Sequence, residues 1–232
     1  MEIYEDSVVG KVTLSHSAKA KNIGLKVRPD GEVVLVVPHG ISVDRAVDFL
    51  KSKYDWVLSH TVNRSKIIYD ETTNFETLTF KLFVRRGDDD NCRFCLKRGE
   101  LYVYYPHSCD VKSDDVQRLI KLGIEKALKS EAKRILPSRL EMLSKMFGFK
   151  YESVKIQGSH TRWGSCSGRK NINLSCYLLL LPIQLVDYVL LHELCHTVEM
   201  NHSDKFWKLM DNVTDGRAKS LRTELKSYSA TL

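Results

Sequence analysis

An α+β fold is what the sequence predicts, β-rich in its first half and helical around a small sheet in its second. Three observations carry this. Residues 8–37 and 75–105 alternate apolar and polar side chains in the two-residue period of strands, broken by Gly, Pro, Asn and Asp. Residues 113–148 and 183–196 instead space their apolar residues by three and four, the period of a helix. Short strand-like runs at 154–157 and 172–177 leave room between those helices for only a small sheet. With 232 residues and 43% hydrophobic content, the chain can bury one good core or two small ones.

Taken in order, Val8 to Leu14 alternates, and Ile23–Val27 and Val33–Val37 flank Arg28-Pro29-Asp30-Gly31, a turn sequence that makes the pair a hairpin. Ser42 is placed to cap a helix reaching about Asn63, with Ala46, Phe49, Leu50, Trp56 and Val57 at helical intervals. Strands return at 75–105, with Leu78, Phe80, Leu82 and Val84 on the buried side and turns at Gly87–Asn91 and Arg98–Glu100. The polar stretch Pro106–Ser113 is the expected boundary between a β-rich region, 1–105, and a second domain, 112–232. A long amphipathic helix follows to Leu136, broken or kinked at Pro137, with a second segment to Gly148. Strands are expected at Val154–Gln157, His160–Ser165 and Ile172–Tyr177, and helices again after His202.

The chemistry concentrates in Val186–His202. His192 and His196 are four apart, so on a helix they share a face about 6 Å apart along the axis and can reach one ion. Glu193 projects about 100° around from His192, beside such an ion, where a base acting on water belongs. A catalytic zinc takes three protein ligands and keeps one open position. His202, ten residues beyond His192, is the preferred third ligand, ahead of Glu199, Asp204 and Glu224. To bring it back the chain must bend. Metzincins of the same span have glycine there, where this chain has Glu199, so Met200-Asn201 are expected to turn, Asn201 tolerating a left-handed conformation. Ser203 would then cap the next helix.

Composition narrows the setting. No apolar stretch is long enough to span a membrane and the first residues have no signal-peptide pattern, so a cytoplasmic location is expected. Six scattered cysteines do not make a disulfide framework; Cys92 and Cys95 lack a second pair for a zinc knuckle, and Cys195 reads as a small buried hydrophobe. The net charge of +7 with pI near 9.0 fits acidic peptides, nucleic acid or simple solubility. Lys81, Arg85, Arg86, Arg93, Lys97 and Arg98, with Tyr102 and Tyr104, could track a phosphate backbone, but the solvated face of a sheet is the preferred reading.

Thr161–Ser167, Asn171–Ser175, Leu181-Pro182, Val186–His196, Asn201–Ser203 and Phe206-Trp207, together with the hairpin ending in Pro38, resemble the YgjP-like metallopeptidases, zinc proteins distantly similar to the SprT group. The resemblance spans most of the chain and departs at Thr197, where the family tends to an apolar residue. It implies a zincin-like metallopeptidase domain with zinc ligands His192, His196 and His202 and catalytic Glu193. A zinc-dependent hydrolase cutting peptide bonds in a peptide or protein is therefore expected, with Zn2+ as cofactor. The alternative is a nucleic-acid-associated zinc protein that binds DNA or RNA through the basic β surface. His160, Arg162, Tyr177 and Tyr228 are candidates for stabilising the oxyanion or touching substrate, and the edge of the strand 171–177 could pair with an extended substrate.

Overall fold

The computed structural model describes residues 2–28, 31–62, 67–230 and 232, and the chain separates into two compact units, Met1–Ile67 and Ile68–Leu232. The division expected at 106–111 lies inside the second unit. There the strands before it and the long helix after it share one core, in which Leu82, Val84, Leu101 and Val103 meet Ile120, Ile124 and Leu128.

The first unit is a four-stranded sheet, β1 (Glu2–Asp6), β2 (Gly10–Ser17), β3 (Gly24–Val27) and β4 (Val33–Pro38), in the order β1-β2-β4-β3. The hairpin of β3 and β4 is present and antiparallel, although Pro29 and Asp30 of its turn lie outside the described residues. β1 has no counterpart in the expected elements. Its turn is set by Asp6, whose Oδ1 accepts from the amides of Val8 (2.9 Å) and Val9 (3.1 Å). Ser42 caps as expected, accepting from Arg45 N. The helix it starts, however, is interrupted into α1 (Val43–Lys51) and α2 (Tyr54–Val62). At the break Ser52 Oγ donates to the Phe49 carbonyl at 2.7 Å, drawing that acceptor out of the helical ladder. Asn63, the expected end, lies outside the described residues. Val12, Leu14, Leu35, Val37, Ala46 and Leu50 form this unit's core.

The second unit begins its sheet at β5 (Lys81–Arg86), with β6 (Arg93–Lys97) and β7 (Glu100–Tyr105), in the order β5-β7-β6. Residues 75–80 do not extend β5 as expected. Thr77 Oγ1 accepts from the amides of Thr79 and Phe80 and closes a turn, which leaves Leu78 37% exposed. Helix α3 (Asp114–Phe147) starts at Ser113, which accepts from Val116 N, and runs through Pro137 without ending. The carbonyl partner that Pro137 cannot satisfy belongs to exposed Lys133, and Leu136 and Leu140 stay fully buried on either side. Gly123 brings α3 against the sheet, since a β-carbon there would lie 2.5 Å from the Phe94 ring.

A three-stranded sheet, β8 (Ser153–Gln157), β9 (Gly164–Cys166) and β10 (Asn171–Ser175), follows in the order β8-β10-β9. Residues 160–163 are not strand as expected, and Tyr177 lies in the 3-10 turn Cys176–Leu180. Ser175 redirects the chain there: its hydroxyl donates to the Ser159 carbonyl (2.7 Å) and accepts from Tyr177 N. Three helices complete the unit, α4 (Ile183–Cys195), α5 (Asp204–Val213) and α6 (Ala218–Leu225). Pro182 stands at the N-cap of α4, where a missing N–H costs nothing. Arg139 of α3 grips Asp187 of α4 with two guanidinium nitrogens. No helix among the described residues is long and apolar enough to cross a membrane.

Candidate metal centre

Helix α4 is largely buried from Leu185 onward, with Leu185, Val186, Leu190, Leu194 and Cys195 at 0% exposure, so the polar residues of its last turns have little access to water and must find partners inside. Two of those residues, His192 and His196, share one face as their spacing requires. The chain then turns through Glu199 to His202 using only ordinary backbone conformations. The amides of Val198 and Glu199 both return to the Cys195 carbonyl, and among the described residues no non-glycine in this bend has a positive φ. Asn201 therefore does not take the left-handed conformation expected of it. Ser203 caps α5 by accepting from Phe206 N, which fixes His202 just outside that helix. Thr197 is buried and its hydroxyl donates to the Leu194 carbonyl at 2.7 Å, so a polar residue is accommodated within the helix's own last turn.

His192 Nε2 lies 3.2 Å from His196 Nε2 and 3.1 Å from His202 Nε2, and the three ligand atoms fall within 4.8 Å of one another. Nitrogens bound tetrahedrally at 2.0–2.1 Å from one ion would be about 3.3 Å apart, so the spacing fits a shared metal. The protonation fits as well. His196 Nδ1 is 3.1 Å from the Glu199 carbonyl, which can only accept, so Nδ1 carries the proton and Nε2 keeps its lone pair toward the cluster. Burial, and then the neighbouring histidines, push His192 down to about 3; burial also lowers His196, which leaves both rings neutral as ligands must be. Phe206 packs edge-on to His192 and stacks on His196, 4.9 and 4.6 Å between ring centres, and holds both rings in place.

Glu193 is 5% exposed, and its Oε2 has no hydrogen-bond partner. Burial pushes its pKa up to about 8, with the Arg162 guanidinium opposing. Above it lies Gly164 of β9. A β-carbon at Gly164 would stand 2.7 Å from Glu193 Oε1, so any larger residue there forces the carboxylate to shift. Sequence reasoning missed this role, and nothing short of knowing that β9 lies over α4 could have supplied it. Cys166, two residues on, stays protonated because burial raises its thiol to about 11.

His192, Glu193 and His202 line a cleft of about 560 Å³, together with Arg162, Trp163, Gly164, Tyr188, Val189, Trp207, Arg222 and Leu225. Of the four candidate substrate contacts, only Arg162 is in it. His160 Nδ1 is 2.7 Å from the Ala230 carbonyl and its Nε2 is 3.0 Å from Tyr177 Oη, which also donates to Glu125 at 3.0 Å. This part-buried network ties His160 to the C-terminal segment, and neither side chain is among those lining the cleft. Tyr228 is 37% exposed and not among the lining residues. Glu199 contributes its carbonyl, while Asp204 and Glu224 are exposed and not part of the three-histidine cluster. The strand 171–177 is not an edge: β10 is paired on both sides, and the outer strands of this sheet are β8 and β9.

Three converging imidazoles with a buried carboxylate beside them in an open cleft place the chain in the class of metallopeptidase domains. The model of the family described as YgjP-like, metallopeptidase domain matches residues 21–228, and the chain belongs to that family. Among solved structures, the crystal structure of the metallopeptidase zymogen of Pyrococcus abyssi abylysin is 24% identical, covering 40% of this chain and 93% of that one at a TM-score of 0.37. No curated protein matches.

Proposed function

We propose that the chain is a zinc-dependent peptidase in which His192, His196 and His202 hold the ion and Glu193 is the general base. The observation that carries this reading is the convergence of three Nε2 atoms beside a buried carboxylate without a partner. A zinc ion bound there would supply Lewis-acid chemistry, lowering the pKa of water to about 7 and polarising a carbonyl. Glu193 takes the proton of the attacking water and hands it to the leaving amine. To do so it must be ionised, and Arg162 together with a cation in the histidine cluster works against the burial that keeps it protonated. The free edge of β9 is placed to pair with an extended substrate over Gly164. Arg162 is the candidate donor to the oxyanion among the cleft's side chains.

Metal analysis tests the ligand set. Purified protein should contain one zinc per chain, with the content falling sharply in His202→Ala, and a chelator should stop its cleavage of a mixed peptide library. Zinc kept by His202→Ala but lost by Glu199→Ala or Asp204→Ala would assign the third ligand elsewhere.

A second reading has one observation behind it. On the outward face of β5 and β7, Phe83, Tyr102 and Tyr104 stack in a row, 5.1 and 6.2 Å between centres, with Lys81 and Arg85 over Phe83 and Arg93 over Tyr104. Such a face could take single-stranded nucleic acid. Its cations already lie against the rings, and binding is expected to be weak and salt-sensitive.

A further inference from the structure

The cleft beside the histidines is not symmetrical in charge. Its apolar part is made by Tyr188, Val189, Trp207 and Leu225, and it carries two guanidinium groups, Arg162 and Arg222, against one carboxylate, Glu193. Arg162 acts on Glu193 and is offset by it. Arg222, from α6, has no such partner. Among the described residues it forms no ion pair with a carboxylate, and its guanidinium rests over the Trp207 ring, 4.8 Å from the centre. The Trp207 ring in turn lies near-parallel to that of the metal-site His202, 5.8 Å away. A cation is thus held on an aromatic shelf beside the metal site. A flat guanidinium on a ring still presents its N–H edge to a carboxylate.

We propose that Arg222 selects peptide substrates that carry a carboxylate close to the bond to be cut, whether from an acidic side chain or from the peptide's own C-terminus. The inference rests on the peptidase reading, but binding alone can test it. The probes are four matched hexapeptides with Glu or Gln at one central position and a free or amidated C-terminus. They are titrated into the zinc-loaded Glu193→Gln protein and followed by tryptophan fluorescence, since Trp163 and Trp207 line the cleft. Relative to the neutral Gln amide, a carboxylate should tighten binding about fivefold to tenfold. An advantage confined to the Glu peptides identifies the side chain as its source, and one confined to the free acids identifies the terminus. The advantage should vanish in Arg222→Gln, persist in Arg222→Lys and turn into a penalty in Arg222→Glu. Equal binding of all four peptides, binding of none, or an advantage that survives Arg222→Gln overturns the proposal. Cleavage of the same peptides by the unmutated protein is scored separately. Peptides that bind with the expected preference yet are never cut would sink the hydrolytic reading and leave the charge preference standing.

Discussion

Helix α4 and the outward face of the β5-β7-β6 sheet both gather polar and aromatic residues, and they differ in what is left over. On the sheet Lys81, Arg85 and Arg93 lie over rings at the surface, so these groups satisfy one another in solvent. On α4 the polar atoms are buried and converge, and two of them, Glu193 Oε2 and His192 Nδ1, have no partner. Leaving a buried polar atom unpaired costs on the order of 1–3 kcal/mol, a cost a fold sustains where the atom has chemistry to do. Unmet need, more than residue type, separates a site from a surface.

The largest effect should come from crowding the carboxylate. Gly164→Ala should displace Glu193 and lower peptide cleavage about 100-fold while zinc content stays unchanged, with a stability loss of about 1–3 kcal/mol. Gly168→Ala, where an added β-carbon meets nothing within 4 Å, should leave the rate unchanged. Equal rates in both variants would remove Gly164 from the site.

A smaller effect is expected from the buried charges once metal is removed. Glu193 near 8 instead of 4.5 means the folded state keeps a proton that the unfolded chain loses, so this group's stability contribution falls as pH rises from about 4.5 to 8. His192 and His196, lowered from 6.5, act in the opposite sense, and their gain is complete above the ordinary histidine range. Between pH 6.5 and 8.5 the chelated protein should therefore melt progressively lower, and Glu193→Gln should flatten that slope. A slope that persists in the variant would trace the pH sensitivity to other groups.

The smallest effects belong to the sheet. Arg85→Ala and Arg93→Ala remove exposed cations from ring faces and should each change stability by less than about 1 kcal/mol. Neither should alter peptide cleavage. Retention of single strands should fade between 50 and 200 mM salt. Submicromolar binding that resists salt and is lost in these variants would give this face a function of its own.

The candidate site was legible because helix spacing converts directly into geometry: His192, Glu193 and His196 need only the period of α4 to be placed, and the apolar run before them marks that helix as buried. What stayed hidden depends on contacts between elements distant in sequence. Gly164 reads as a turn residue until β9 is laid over α4. His160 and Tyr177 read as site candidates until Glu125 and the Ala230 carbonyl are seen to hold them. Pro137 reads as a break because local propensity favours one, yet packing on both sides of it carries α3 through. In the same way β10 reads as an available edge until β8 and β9 are found on its two sides.

The most direct test separates ligand from base. Glu193→Gln keeps the size of the side chain and all three histidines but removes the group that accepts the proton of water. Wild type and Glu193→Gln are incubated with a mixed peptide library, new termini are read by mass spectrometry, and zinc is measured in both. Cleavage by the wild type that a chelator blocks, falling about 100-fold to 10,000-fold in the variant at unchanged zinc content, is the predicted result. Equal cleavage by both proteins at equal zinc would contradict the role of Glu193 and with it the account of the site.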